Sequence, residues 1–123
     1  MNKDFIPVNT PFIGEEEKRL VNNCLKTGWI SSEGSYINEF EEKIALICER
    51  KYAIAVSSGT AAIDIAIAAL SLKKGDEVIV TTFTIISCIN EILKRGIIPI
   101  FIDINPKTWN IDVNKIEEKI TSK

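Results

Sequence analysis

Histidine is absent from this 123-residue sequence, and the gap removes much familiar chemistry. Ser-His-Asp and Cys-His catalysis are excluded, as are zinc sites built on imidazole. Proton transfer must use Lys, Asp, Glu, Tyr, Cys or a bound cofactor. Cysteine is sparse: Cys24, Cys48 and Cys88 are isolated and odd in number. No two have metal-ligand spacing, so the expectation is core thiols and no metal. An excess of positive charge is also missing. The net charge of −2 offers no basic field for nucleic acid. Polar residues interrupt every apolar run well short of a membrane span, and the first residues lack the apolar core of a signal peptide. The expectation is a cytoplasmic protein without membrane or nucleic-acid partners. Neither a Gly-x-Gly-x-x-Gly fingerprint nor a Gly-x-x-x-x-Gly-Lys phosphate loop occurs, which disfavours dinucleotides and the common NTPase mode. There is no internal repeat and no low-complexity segment.

What is present is an ordinary globular composition: 46% hydrophobic and 26% charged residues, enough for one small domain with a core. Residues 1–13, with Pro7 and Pro11, read as an extended arm. Gly14 to Thr27 reads as a helix, with Glu15–Glu17 in its first turn and an apolar stripe of Leu20, Val21, Cys24 and Leu25. Gly28 ends it. A loop with Trp29 and Ser31 follows, in which the tryptophan is either a core anchor or a ligand contact. Ser35 is placed as the N-cap of a second helix bearing Ile37, Phe40, Ile44 and Ile47. The opposite face, with Glu39, Glu41, Glu42 and Lys43, reads as solvated.

The stretch from Tyr52 to Leu72 organises the rest. Tyr52–Val56 has the short apolar character of a buried parallel strand. Ile63, Ala66, Ile67 and Leu70 have helical spacing. Between them lie only small and hydroxyl residues, Ser57 to Ala62. A helix beginning there presents unpaired N–H groups and the positive end of its dipole, and glycine at 59 admits an anion close to the backbone. The turn therefore reads either as a phosphate site or as an ordinary cap by Ser58 or Thr60. Strands over 77–82 and 97–104, a helix over 86–95 and a final amphipathic helix capped by Asp112 complete a strand–helix alternation. That alternation predicts an α/β fold with a mostly parallel sheet, whose strand ends near 57–60 and 81–85 face one crevice.

Six motifs in order carry a resemblance over essentially the whole chain: Phe5-Ile-Pro-Val-Asn, Gly28-Trp-Ile-Ser-Ser-Glu-Gly, Val56-Ser-Ser-Gly-Thr-Ala-Ala, Gly75-Asp-Glu-Val-Ile-Val, Thr82-Phe-Thr and Pro99-Ile-Phe-Ile-Asp. Together they resemble the DegT/StrS sugar-nucleotide aminotransferases, in particular the perosamine synthase branch. The resemblance implies the fold type I transferase large domain, in part, and a homodimer. It further implies pyridoxal 5′-phosphate as cofactor, glutamate as amino donor and a nucleotide-linked 4-keto-6-deoxy sugar as acceptor. On this basis residues 1–34 form the arm, helix and active-site loop, and residues 35–123 the N-terminal portion of the cofactor-binding large domain.

Carried over position by position, Ser58, Gly59, Thr60 and Ala61 would bind the cofactor phosphate. Ile85 stands where relatives place an aromatic ring against the pyridine, and Trp29 and Ser31 would lie near substrate. Ser58 replaces a frequent asparagine, and Thr81 a frequent proline. Phe83 is read as core. The Schiff-base lysine, the aspartate that pairs with the pyridine nitrogen and a second phosphate-binding serine come later in the family, so no catalytic residue is assigned here. Lys73, Lys74 and Lys94 read as solvated. The resemblance covers about the first third of such an enzyme, and the 123 residues alone are expected to be inactive. Two alternatives stay open within the family: a dehydratase, and a truncated non-catalytic form that keeps the phosphate-binding half-sheet. Outside the family there remains another phosphate- or nucleotide-binding α/β domain.

Overall fold

The computed structural model describes residues 5–123. Chain contacts divide it into two units that meet between Ala55 and Val56.

The first unit is built on two helices, α1 (Glu15–Thr27) and α2 (Ser35–Ile47). Helix α1 starts where three glutamates face the positive end of the dipole, and the Gly14 N–H donates to Glu17 Oε2 at 2.7 Å. It stops at Gly28, whose φ of +77° is a left-handed turn that a side chain would strain. Helix α2 starts one residue earlier than expected in its capping: Gly34, in extended conformation, holds the cap position and Ser35 is already helical. Its Glu41 is not simply solvated, because Glu41 Oε1 accepts the Ala55 N–H at 2.7 Å. Cys48 closes α2 on the surface, so the expectation of three core thiols fails there; Cys24 and Cys88 are half-buried.

Tyr52–Val56 does not form the expected strand. Its apolar residues satisfy the pattern, but a strand exists only where a neighbour takes its N–H and C=O groups, and among the described residues none pairs with it. Tyr52 and Ile54 are exposed, and the Ala55 N–H goes to the Glu41 carboxylate instead.

The second unit holds helix α3 (Gly59–Ala69), strand β1 (Glu77–Thr81), helix α4 (Ile86–Lys94) and strand β2 (Ile98–Ile102). β1 and β2 are parallel, with register running from Glu77 opposite Ile98 to Thr81 opposite Ile102. Pro99 lies within β2 at a position paired with Val78, where its missing N–H marks an edge. The core is Ile67 of α3, Ile92 of α4 and Ile97, surrounded by Ile63, Leu72, Val78 and Val80. Each fully buried isoleucine contributes about 1.5–3 kcal/mol by leaving water. This α/β arrangement of a small parallel sheet with helices against it agrees with the fold expected from the sequence.

The final segment differs. Instead of one amphipathic α-helix there are two short 3₁₀ turns, Val113–Lys115 and Glu117–Lys119. Asp112 caps the first as expected, accepting the Asn114 N–H at 3.2 Å. The β-branched Val113, Ile116 and Ile120 and the poor helix former Asn114 weaken a continuous helix. Beyond it Ile120 is extended, and Thr121 donates to Glu77 Oε2 at 2.6 Å, drawing the chain onto the start of β1. Phe83 is not core: it is exposed and packs edge-on with Trp109, ring centroids 5.2 Å apart.

Candidate phosphate site at the head of α3

Ser58 is the N-cap of α3. Its backbone is extended, and its Oγ accepts the Ala61 N–H at 3.2 Å. The cap thus satisfies one of the orphan donors at the helix start. The Ala62 N–H is taken by the Ser58 carbonyl at 3.1 Å. That leaves the N–H groups of Gly59 and Thr60, which find no acceptor among the described residues. A Cβ placed on Gly59 would meet nothing within 4 Å, so the space beside this backbone is open. Two free donors, an open approach and the positive end of a helix dipole suit a phosphate.

Thr60 extends the site sideways. Its hydroxyl donates to Ser87 Oγ at 2.9 Å, joining the second residue of α3 to the second residue of α4. Ser87 has no signal in the sequence, since a lone serine inside a helical stretch is unremarkable; only the packing of the two helices reveals it. Ile85 occupies the cap position of α4 with extended backbone and an exposed side chain. The structure thus places Thr60 and the head of α4, where Ile85 lies, together, with Ser58, Gly59 and Ala61 on the same turn of α3.

The segment leading to Ile85 is held at the carboxyl ends of the strands. Thr82 N–H donates to the Ile102 carbonyl at 2.9 Å, and Thr82 Oγ1 donates to Asp103 Oδ1 at 3.1 Å. Asp103 Oδ1 also accepts the Ile104 N–H at 2.8 Å. That backbone donor first, and then the Thr82 hydroxyl, favour the charged carboxylate and hold the Asp103 pKa below its ordinary value.

Trp29 and Ser31 belong to the first unit. There they line a cavity of about 290 Å³ with Asn23, Ser35 and Tyr36, in which Asn23 Nδ2 donates to the Tyr36 hydroxyl at 3.0 Å. The lysines dismissed as catalytic stay at surfaces: Lys94 Nζ pairs with the buried Glu91 carboxylate at 2.6 Å, and the stem of Lys74 covers Gly96. No group of three or more metal-ligating side chains forms among the described residues. Within them, too, no helix is long and apolar enough to cross a membrane.

An open helix head next to a parallel sheet is a geometry that suits an anion, and comparison with known proteins gives the chain its family. Residues 11–123 match the DegT/DnrJ/EryC1/StrS aminotransferase family, and the chain belongs to it. It is 47% identical over 119 residues to the GDP-perosamine synthase of Escherichia coli O157:H7, covering 97% of this chain and 33% of that protein. With the GDP-perosamine synthase of Vibrio cholerae the identity is 39%, over 96% of this chain and 32% of the relative. The chain therefore spans about a third of the length of the curated relatives it matches. Among solved structures, E. coli GDP-4-keto-6-deoxy-D-mannose-3-dehydratase with bound hydrated PLP superimposes with a TM-score of 0.84 at 30% identity, covering 94% of this chain and 31% of that one. NtdA from Bacillus subtilis with bound PMP gives 0.78 at 36% identity, over 98% of this chain and 30% of its own.

Proposed function

We propose that this chain is the N-terminal portion of a pyridoxal 5′-phosphate-dependent aminotransferase that moves an amino group from glutamate to a nucleotide-linked 4-keto-6-deoxy sugar. The observation that carries the reading is the open head of α3, where Gly59 and Thr60 offer two free N–H donors and no side chain fills the space. Identity of 47% to a GDP-perosamine synthase supports the sugar-nucleotide substrate; a role in polysaccharide and O-antigen biosynthesis is part of the proposal. Pyridoxal phosphate, when bound, supplies the electron sink that amino transfer requires.

The chain's own residues hold and orient. Gly59 and Thr60 receive the phosphate on backbone N–H groups, Ser58 and Ala61 fix the turn that presents them, and the Thr60 hydroxyl flanks it. Ile85 covers the ring by dispersion, without the π-surface an aromatic side chain would add. Trp29 and Ser31 contact the sugar nucleotide from the loop after α1. In this reading residues 1–34 contribute arm, helix and loop, and residues 35–123 begin the cofactor-binding domain of a cytoplasmic homodimer. No lysine of this chain is assigned to the Schiff base, so the 123 residues alone are inactive.

A second reading, dehydration of the same kind of sugar, is favoured by the likeness to the E. coli 3-dehydratase. One experiment separates them. The full-length protein is incubated with PLP, glutamate and GDP-4-keto-6-deoxymannose. Equal amounts of 2-oxoglutarate and an amino sugar support transamination. A nitrogen-free deoxy sugar supports dehydration, and no conversion of either kind points to a non-catalytic family member.

A further inference from the structure

The N-terminal arm of the first unit is an apolar strap with nothing beneath it. Phe5, Ile6, Val8, Phe12 and Ile13 are all more than half exposed, Val8 completely so. Among the described residues, 5–13 make no backbone–backbone hydrogen bond. Pro7 and Pro11 favour extended backbone and supply no N–H. The bond from Gly14 N–H to Glu17 fixes where the arm leaves α1. No hydrophobic staple ties it back, because Lys18 stands where an apolar partner for Ile13 would be needed.

The same unit has a groove of about 460 Å³ between α1 and α2, lined by Leu20, Val21, Cys24, Tyr36 and Phe40. Helix α1 buries none of its residues, so its apolar stripe, which continues to Leu25, lies open. The charges at the rim of the groove are satisfied in place: Arg19 pairs with Glu16, and Lys43 with Glu39. Such a rim suits an uncharged occupant, and residues 5–13 contain no charged side chain. Extended proline-bearing segments dock on aromatic-lined grooves at little entropic cost, and Tyr36 and Phe40 supply the aromatics. In the single chain the arm stays off its own groove, as its exposure shows.

We propose that this groove receives the arm of a second copy of the chain, so that two copies exchange arms about a two-fold axis. Each copy offers one strap and one groove, which makes the exchange reciprocal. Five large apolar side chains from each copy, at about 100–200 Å² apiece, bury about 1,000–2,000 Å² in all, the scale of a specific interface. The inference rests on the homodimer reading and goes beyond it by naming the surfaces that meet.

The test uses the full-length protein. Val8→Asp in the arm and Val21→Asp in the groove both change exposed positions, so each should keep the circular dichroism of the parent. Sedimentation equilibrium should show either one raising the dimer dissociation constant at least about 10-fold. Crosslinking reads the position, because Cys24 lies in the groove. Ile6→Cys, Val8→Cys and Phe12→Cys are each incubated with oxidised glutathione. At least one introduced thiol should bond the partner subunit's Cys24, giving a product of twice the mass on a non-reducing gel that Cys24→Ser abolishes. A disulfide to Cys24 within one chain means that the arm folds onto its own groove, and overturns the proposal. No bond to Cys24 from any of the three positions overturns it as well. If neither aspartate variant moves the dissociation constant of a stable dimer, this inference falls and the homodimer reading stands. A monomeric parent overturns both.

Discussion

Thr82 and Asp103 join the carboxyl ends of the two paired strands, the threonine hydroxyl donating to Asp103 Oδ1 at 3.1 Å. The link sits one residue past β1 and one past β2, where the chain leaves the sheet for the segment that ends at Ile85. Because the Ile104 N–H and the Thr82 hydroxyl lower the Asp103 pKa, the carboxylate contributes stability above its unfolded pKa of about 3.9. That contribution is lost as pH falls through the lower folded value. Asp103→Asn should therefore cost stability at pH 7 and progressively less below about pH 4. Denaturant midpoints of parent and variant at pH 7 and pH 3 check this; a gap of equal size at both values contradicts it.

Gly59→Val separates folding from binding. A Cβ added here meets no protein atom within 4 Å, and the backbone is not in the left-handed region, so the melting temperature should stay close to that of the parent, apart from a small helix-propensity effect. PLP affinity of the full-length protein should fall sharply, because the valine fills the approach to the two free N–H groups. Calorimetric titration beside a thermal scan reads both quantities. A variant that binds PLP normally removes the α3 head from the site.

Ile85 is exposed at the start of α4. Ile85→Tyr should bind PLP as well as or better than the parent, since a ring adds stacking worth about 0.5–1.5 kcal/mol. Ile85→Asp should bind it much more weakly, because a carboxylate there repels the phosphate. Absorbance titration with PLP distinguishes them, and an aspartate variant that matches the parent shows that residue 85 faces elsewhere.

Glu91 is 2% exposed and Lys94, its partner at 2.6 Å, is 66% exposed. Lys94→Met strips the cation from a buried carboxylate and should destabilise by about 1–3 kcal/mol. Glu91→Leu removes the charge that needs a partner and should be close to neutral or stabilising. Urea unfolding of the two variants gives the order. A Glu91→Leu loss exceeding that of Lys94→Met would mean that the pair itself supports α4.

Local chemistry was legible where one residue decides it. Ser58 as cap, Gly28 as helix stop and Asp112 as cap of the last segment all follow from side-chain hydrogen bonding or a left-handed turn, and the structure shows each. What depended on a partner was not legible. Tyr52–Val56 has the residues of a strand but no neighbour to pair with among the described residues, and Glu41 leaves the supposed solvated face to serve Ala55. Phe83 looks like core by composition, yet it lies exposed beside Trp109. Ser87 was invisible for the same reason, because its meaning lies wholly in the hydroxyl 27 positions earlier in the chain.

Helices α3 and α4 are tied twice, at their heads by Thr60 and Ser87 and further along by Arg95, whose guanidinium bonds both the carboxylate and the carbonyl of Asp64. A ligand seated at the α3 head is thereby linked to amides it never touches. Any molecule that binds only the closed arrangement lowers the population of opened states by the factor 1 + [L]/Kd. Deuterium uptake should accordingly slow along the first turn of α4, at Cys88 and its neighbours, when PLP is added, and slow less when Ser87 is alanine. Occupancy of the site is then readable as a solvent-exchange clock on a neighbouring helix.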